Sequence, residues 1–393
     1  MDAGINIPFP EEAALLTLSG LQPLPGAAEA LAAVVNPGRF VWLANEHGVA
    51  AFVLRNITAL QLTEMLASTE YQNLRNMSFK SVARNSFINE SLKEATTILN
   101  EASLVPVLLK GCALELTVYD KGGLRPMTDA DILLPAEVSL KAWQLLQDKG
   151  FTALPLKSPL HRLIIMHTGK HLPSLIKGGF SLEIHHSLFS GSDERLTASI
   201  IEGSTLVYPG DGEPGRERVP PPALHFLYLV AHLAKHEEEG HSQLRLYNDL
   251  AAMIDHYGAE ETAGRALHHS AAVNLEGILK DKLGLLRRYM GVNMPPEYQF
   301  EPSAAAAERF MAMLQKPKDN TPQDRKALYR EKVRSVPGLH RKLLFLLGDI
   351  LPSFNFMKKR YSKKSVLAIL PYYLLRPGKL LWLLNYGRKD IKT

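Results

Sequence analysis

Residues 105–135 read VPVLLKGCALELTVYDKGGLRPMTDADILLP, and the organisation of the chain is decided there. Upstream, apolar residues recur at three- and four-residue spacing over 11–18, 27–35, 59–83 and 89–102, the pattern of amphipathic helices. At residue 105 the pattern changes. The run 105–109 is short, apolar and closed by Lys110-Gly111, which suits a buried strand entering a turn. Residues 113–119 suit a helix, Lys121-Gly122-Gly123 breaks it, and 130–134 is a second strand-like run. Beyond it, 138–149 reads as a helix stopped by Gly150, with strand-like segments at 151–156 and 180–188.

Residues from about 103 to 190 therefore form an α/β unit. Residues 202–222, rich in Gly, Pro and charge, read as a loop, and helical periodicity returns at 225–235, 244–256 and 266–290. A polar break at 316–325 precedes a basic, mostly helical end. The expected fold class is α+β, a mixed-sheet α/β core flanked by N-terminal and C-terminal helical regions. The expected domains are an N-terminal helical region at 1–102, an α/β core at 103–200, a helical domain at 222–330 and a basic C-terminal helical region at 331–393.

Composition narrows the class. With 393 residues, 46% apolar and 22% charged, the chain can bury a globular interior and exceeds one ordinary small core. Its one cysteine, Cys112, can form neither an internal disulfide nor a cysteine-based zinc site. The first residues carry no basic stretch followed by an apolar one, and no uncharged apolar run reaches membrane-spanning length. The nearest run, 365–386, is interrupted by Pro371, Arg376, Pro377 and Lys379. A cytoplasmic enzyme without a transmembrane segment is the expectation. Charge is uneven: 334–393 holds thirteen Lys or Arg against two Asp, a net +11 that leaves −6 for the rest of a chain totalling +5. Such an end suggests an anionic partner.

The chemistry concentrates at Asp129-Ala130-Asp131. On a strand, residues i and i+2 project from one face, so both carboxylates would point together from the exposed end of an apolar strand. Two hard oxygen donors suit Mg²⁺, or Mn²⁺ in the same role, which binds through one or two carboxylates plus substrate phosphates. Lys110-Gly111, between strand and helix, offers backbone amides and a lysine to a triphosphate. Glu183, on the predicted strand 180–188, is a third carboxylate for the metal and a candidate general base. Three carboxylates around two cations fit nucleotidyl transfer. Arg125 has two readings, a contact to the triphosphate or an ion pair to Asp129 or Asp131 that orients the loop.

These motifs together resemble the family of uncharacterised nucleotidyltransferases within the polymerase-beta-like superfamily. The matching residues are Leu109-Lys110-Gly111, Tyr119, Arg125-Pro126, Asp129-Ala130-Asp131, Glu183-Ile184-His185 and then His232, His236, Arg245, Asp249 and Leu250, over roughly 90–260. The resemblance implies a nucleotidyltransferase-type core and a metal-dependent transfer of an NMP from an NTP, such as ATP, to an acceptor that is a small molecule, a peptide or RNA. It places His185, His232, His236, Arg245 and Asp249 on the acceptor side. The chain departs from the wider superfamily in having Lys110-Gly111 where Gly-Ser is usual, with seventeen residues between Gly111 and Asp129.

Other features have plainer readings. His225, His232 and His236 share a helix face at a spacing compatible with zinc, but lack the Glu of a His-Glu-x-x-His site, so packing is the simpler account. Lys170, between His167 and His171, reads as a loop lysine. In the basic end, Lys358-Lys359-Arg360 and Lys363-Lys364 lie among Tyr361, Tyr372, Tyr373, Trp382 and Tyr386. That mixture suits RNA, an anionic membrane surface, or a solvated basic face over an aromatic core. A second function class follows: a non-catalytic binding module of the same fold, engaging RNA, a membrane surface or a protein through that end.

Overall fold

The computed structural model describes residues 7, 9–119, 122–188, 194–206, 217–316, 325–362, 365 and 367–384. Lys121, residues 207–216 of the expected loop, Lys363, Lys364 and Tyr386 lie outside them. The elements needed below are, in chain order, α1 (Ser68–Glu101), β1 (Val107–Leu109), α2 (Lys110–Thr117), β2 (Ala130–Leu133), α3 (Ala136–Asp148), β3 (Thr152–Ala153), β4 (Leu175–Lys177), β5 (Phe180–His185), β6 (Thr205–Leu206) and β7 (Arg218–Val219). Then come α4 (Pro222–Glu238), α5 (Leu244–Tyr257), α6 (Leu339–Ile350), α7 (Phe354–Tyr361) and α8 (Leu370–Leu384). The protein is α+β, as expected, and it divides into two compact units, Met1–Leu133 with Asp193–Asn320, and Leu134–Ser192 with Thr321–Thr393.

In the first unit β1 is central. It pairs antiparallel with β2, with Leu109 opposite Asp131, and parallel with β7, which pairs antiparallel with β6. The sheet portion is therefore mixed, in order β2-β1-β7-β6. Val107, Leu108, Leu109, Ile132 and Leu133 are all buried, which explains why these strands read as apolar runs rather than alternations. β6 and β7 fall inside the segment expected to be a loop. Two residues are too few to show a period, and the Arg218 amide reaches the sheet through Pro106 O at 3.0 Å.

Two helix boundaries also differ from expectation. The expected helix 59–83 begins only at Ser68, because Gln61 takes a left-handed backbone (φ 58°) after the helix Ala50–Ala59. From Ser68 it runs unbroken through 89–102. The expected helix 266–290 is divided at Asn274 (φ 55°), an Asn being among the residues that tolerate that conformation. A helix that periodicity missed, Pro37–Glu46, begins with Pro at its first turn and with the Asn36 side chain accepting from the Arg39 amide, an ordinary cap.

The helix α1 determines where the acidic segment lies. Its buried stripe is Leu74, Ser81, Asn85, Ile88, Leu92, Ala95, Thr96 and Leu99, a helical period into which Thr96 and, nearer the acidic segment, the polar pair Ser81 and Asn85 are set. Those two grip the segment leading to the acidic pair. Ser81 Oγ donates to Gly123 O at 2.7 Å. Asn85 Nδ2 donates to Arg125 O at 2.8 Å and to Glu115 Oε1 at 3.1 Å, and Asn85 Oδ1 accepts the Met127 amide at 3.0 Å. Arg84 adds a bond to Thr128 O at 2.8 Å. Gly123 is required at the crossing: its φ is +65° and a Cβ there would stand 2.9 Å from Val82 Cα.

In the second unit β3, β4 and β5 form an antiparallel run, with Thr152 opposite Ile176 and Leu175 opposite Leu182. Leu134 N–H bonds to His185 O at 3.0 Å, and Trp143 Nε1 on α3 to Pro173 O at 2.8 Å. The C-terminal helices join this unit around Asp349. Its buried carboxylate takes Lys157 and the Tyr329 hydroxyl, and its backbone carbonyl accepts from Arg376 Nε at 2.7 Å.

Replacing Asn85 by Leu, of similar size, leaves the Met127 amide and the Arg125 carbonyl buried without partners. Unpaired buried groups of this kind cost about 1–3 kcal/mol each, so a loss of roughly 3–5 kcal/mol is expected in urea unfolding. A loss below about 0.5 kcal/mol would mean that α1 does not hold the segment.

Candidate active site

The site begins at the end of β1. There the backbone turns through Lys110 with φ 50°, a left-handed conformation that costs a residue bearing a side chain about 1–2 kcal/mol. Something must hold the strain. The Lys110 amide donates to His225 Nε2 on α4 at 3.2 Å. To accept, that nitrogen must be unprotonated, and burial, reinforced by Arg125, pushes the His225 pKa down to about 3. The first amide of the turn, expected to serve a phosphate, is thus engaged by an imidazole.

Opposite Lys110, Asp131 is 4% exposed on β2, and its Oδ1 accepts from Lys110 Nζ at 2.7 Å. Asp129 is not on the strand, which begins at Ala130. It lies in the preceding bend, half-buried, and accepts from Thr128 Oγ1 at 3.0 Å. The expected pair on one strand is therefore one strand carboxylate and one just outside it. Cys112, beside them, is buried, and burial followed by Asp131 raises its thiol pKa to about 12, which removes it as a nucleophile.

Arg125 makes neither of the ion pairs considered for it. Its Nε donates to both oxygens of Asp249 on α5, at 2.8 and 3.0 Å, and Tyr119 Oη donates to Asp249 Oδ1 at 3.0 Å. Arg125 and Asp249 are 5% and 1% exposed. Burial alone would lower the arginine pKa, and the Asp249 charge and hydrogen bond reverse this and raise it. The guanidinium packs on Gly111, where a Cβ would overlap it, so glycine is a steric requirement there. Asp249, expected on the acceptor side, thus spends its carboxylate on Arg125 and Tyr119. Arg245, one turn earlier, donates to Pro126 O at 2.9 Å and to Gln243 Oε1 at 3.0 Å, and burial, followed by Arg125, lowers its pKa to about 10.

His225, His232 and His236 follow one face of α4. The rings of His232 and His236 meet edge to face at 4.4 Å. Burial, then the Lys110 charge, drives the His232 pKa well below its ordinary value, against an opposing pull from Asp131. His236 is lowered mainly by burial. These imidazoles are held neutral, and among the described residues they do not form a zinc-type group with one another. His47 is neutral for the same reason. Its Nε2 bonds to Leu314 O at 3.1 Å, its Nδ1 accepts the Leu244 amide at 3.1 Å, and burial lowers its pKa to about 4.

In the second unit Glu183 lies on β5, whose burial alternates, so Glu183 and His185 share a face. Glu183 Oε1 accepts from Ser174 Oγ at 3.1 Å, and Nε2 of His171 and of His185 stand 3.8 and 3.7 Å from its Oε2. Sequence reasoning did not find the roles of Asn85, Tyr119, His225 or His47. The available signal was polar residues continuing apolar stripes, as Asn85 does on α1 and His225 on α4.

In its donor set the site fits a hard divalent cation. Asp129 and Asp131 offer carboxylate oxygens, and a buried carboxylate such as Asp131 requires a positive partner, here Lys110. A model of the family described as uncharacterised nucleotidyltransferase matches residues 34–291, and the chain belongs to that family. The α+β fold with helical flanks agrees with it. No curated protein and no solved structure matches the chain significantly.

The buried histidines set an acid limit. A folded-state pKa below the unfolded value of about 6.5 means the unfolded chain takes up the proton first. The stability tied to neutral His47 and His225 is therefore complete above about pH 6.5 and is lost as the pH falls toward about 4 and about 3 respectively. With a slope that approaches about 1.4 kcal/mol per pH unit for each once the unfolded imidazole is protonated, unfolding free energy should drop by about 3 kcal/mol between roughly pH 6.5 and 5. His225→Gln should shed its half of that slope in urea titrations at the two pH values. An unchanged slope would contradict the assignment.

Proposed function

We propose that the chain transfers a nucleoside monophosphate from an NTP to an acceptor hydroxyl or phosphate, with pyrophosphate as the leaving group. The observation that carries this reading is the ion pair of buried Asp131 with Lys110, beside Asp129, in a chain of a nucleotidyltransferase family. In this reading Asp129 and Asp131 hold Mg²⁺ or Mn²⁺, and Glu183 is assigned as the third carboxylate from its place in the sequence pattern. When bound, such a cation lowers the pKa of an attacking hydroxyl and neutralises charge on the triphosphate.

The chain's own residues supply the rest. Lys110 neutralises Asp131, and its flexible stem lets the same ammonium turn to a phosphate when that charge is balanced otherwise. Glu183, with Nε2 of His171 and of His185 at 3.8 and 3.7 Å, either completes the cation site or takes the proton of the acceptor. Arg125 acts as a positioning residue: held by Asp249, it packs on Gly111 and fixes the turn that presents Lys110. His185, His232, His236 and Arg245 are assigned to the acceptor side. Neutral imidazoles at His232 and His236 leave hydrogen-bonding capacity without adding charge.

The reading is tested with protein, Mg²⁺, each NTP labelled at the α-phosphate, and a cell extract as the source of acceptor. Asp131→Asn and Asp129→Asn should each lower label transfer by about a hundredfold or more, because a metal-holding carboxylate supports several kcal/mol of transition-state stabilisation. Undiminished transfer by either variant would remove that carboxylate from the mechanism.

A further inference from the structure

The last helix of the second unit is built unlike an ordinary surface helix. On α8 the positions facing inward are few, with Leu380 and the preceding Ile369 buried. The opposite arc, at 100° per residue, carries Leu370, Leu374 and Leu381 in one row, with Leu375 and Trp382 beside them. All five are exposed, Leu374 to 82% and Trp382 to 56%. The outward arc contains no charge until Lys379 at its edge. Of the 22 exposed large apolar residues on the described surface, ten lie between 339 and 382, so the exposure is concentrated here. Contiguous apolar surface of this kind marks a contact face.

Charge says what the face contacts. Between 334 and 384 the only acidic residue is Asp349, and it is buried against Lys157 and Tyr329. Among the described residues from 334 to 384, no exposed carboxylate opposes an anion. The helix α7 ends in Lys358, Lys359 and Arg360, with Lys359 and Arg360 exposed. An open pocket of about 530 Å³ beside α8 is lined by Lys157, Arg360, Arg376, Lys379 and Trp382, with Asp349 the single carboxylate among its lining residues. Among the described residues, no carboxylate pairs with Arg360 or Lys379. An apolar arc, a tryptophan at its border and a cluster of cations in excess of their one carboxylate are the components of a helix that lies in the plane of an anionic bilayer, apolar side down, with headgroup phosphates among the cations. No helix among the described residues is long and apolar enough to cross a membrane, which leaves the in-plane mode.

We propose that α7 and α8 dock this protein on an anionic phospholipid surface. Leu370, Leu374, Leu381 and Trp382 enter the acyl boundary, while Lys358, Lys359, Arg360 and Lys379 meet the phosphates. The inference stands apart from the transfer reaction, and neither depends on the other.

The test is flotation of the full chain with vesicles of phosphatidylcholine alone and of an equal mixture with phosphatidylglycerol, at low and high salt. The wild type should float with the mixed vesicles and not with phosphatidylcholine, and salt should weaken the binding. Leu370→Ser/Leu374→Ser/Leu381→Ser should reduce partitioning by about tenfold or more, as should Lys358→Gln/Lys359→Gln/Arg360→Gln through the electrostatic part. Most of these side chains lie on the surface, so melting by circular dichroism should be unchanged in both variants. Three results would overturn the proposal: no flotation with either vesicle, full binding retained by the leucine variant, or a wild-type dimer that the leucine variant converts to monomer. The last would show that a second copy covers the face.

Discussion

A guanidinium buried beside a strand end has to be paired, and in this protein the pair is Arg125 with Asp249. Removing two charges from water costs several kcal/mol per ion, and only close geometry with further hydrogen bonds recovers it. Both conditions hold, through two Nε contacts and the Tyr119 hydroxyl. The pair joins residues 124 apart in sequence, one on the segment before β2 and one on α5. Breaking one partner would leave a buried charge, a defect worth about 3–5 kcal/mol, so the segment has little freedom to move. Asn85 takes the Arg125 carbonyl from the other side. The acidic end of β2 is therefore held by long-range bonds on both flanks, and its position does not depend on the propensity of a short polar loop.

That rigidity makes the conformation at Lys110 tolerable. A left-handed lysine persists only where its surroundings over-determine it. Here the β1–β2 register, the His225 acceptor and the Arg125 side chain against Gly111 do so together. The result is a cation fixed against Asp131, with the neutral imidazole of His225 on its backbone amide. The neutral state of His225 and His232 keeps α4 from adding positive charge next to Lys110, so the balance with the carboxylates is set by Lys110 on Asp131 and by the guanidiniums of Arg125 and Arg245. A site of that kind is electrostatically matched to exchange one positive partner of Asp131 for another.

Much of this was legible in the sequence, for a local reason. β1 and β2 are buried on both sides, so they read as apolar runs bounded by Lys110-Gly111 and by the acidic pair. α1, α3, α4 and α5 carry a helical period. What periodicity could not show is which distant group completes each buried charge. Arg125 was read either toward a triphosphate or against the nearest carboxylates, Asp129 and Asp131, whereas α5 brings Asp249 to it. The capture of the Lys110 amide by His225 and the grip of Asn85 are likewise long-range and leave no spacing signal. Strands of two residues, such as β6 and β7, are below the length at which alternation exists, and the helix boundaries at Gln61 and Asn274 are set by single left-handed residues.

The central claim is that Asp131, together with Asp129, is a divalent-cation site that a nucleotide completes. The most direct measurement is Mn²⁺ binding by electron paramagnetic resonance, with and without a non-hydrolysable NTP, in the wild type and in Asp131→Asn. The account predicts that bound Mn²⁺ rises when the nucleotide is added and that the variant loses about tenfold or more in affinity, since removing one charged ligand from a two-carboxylate site costs at least about 1.4 kcal/mol. Equal Mn²⁺ binding by the two proteins, with no response to nucleotide, would contradict it.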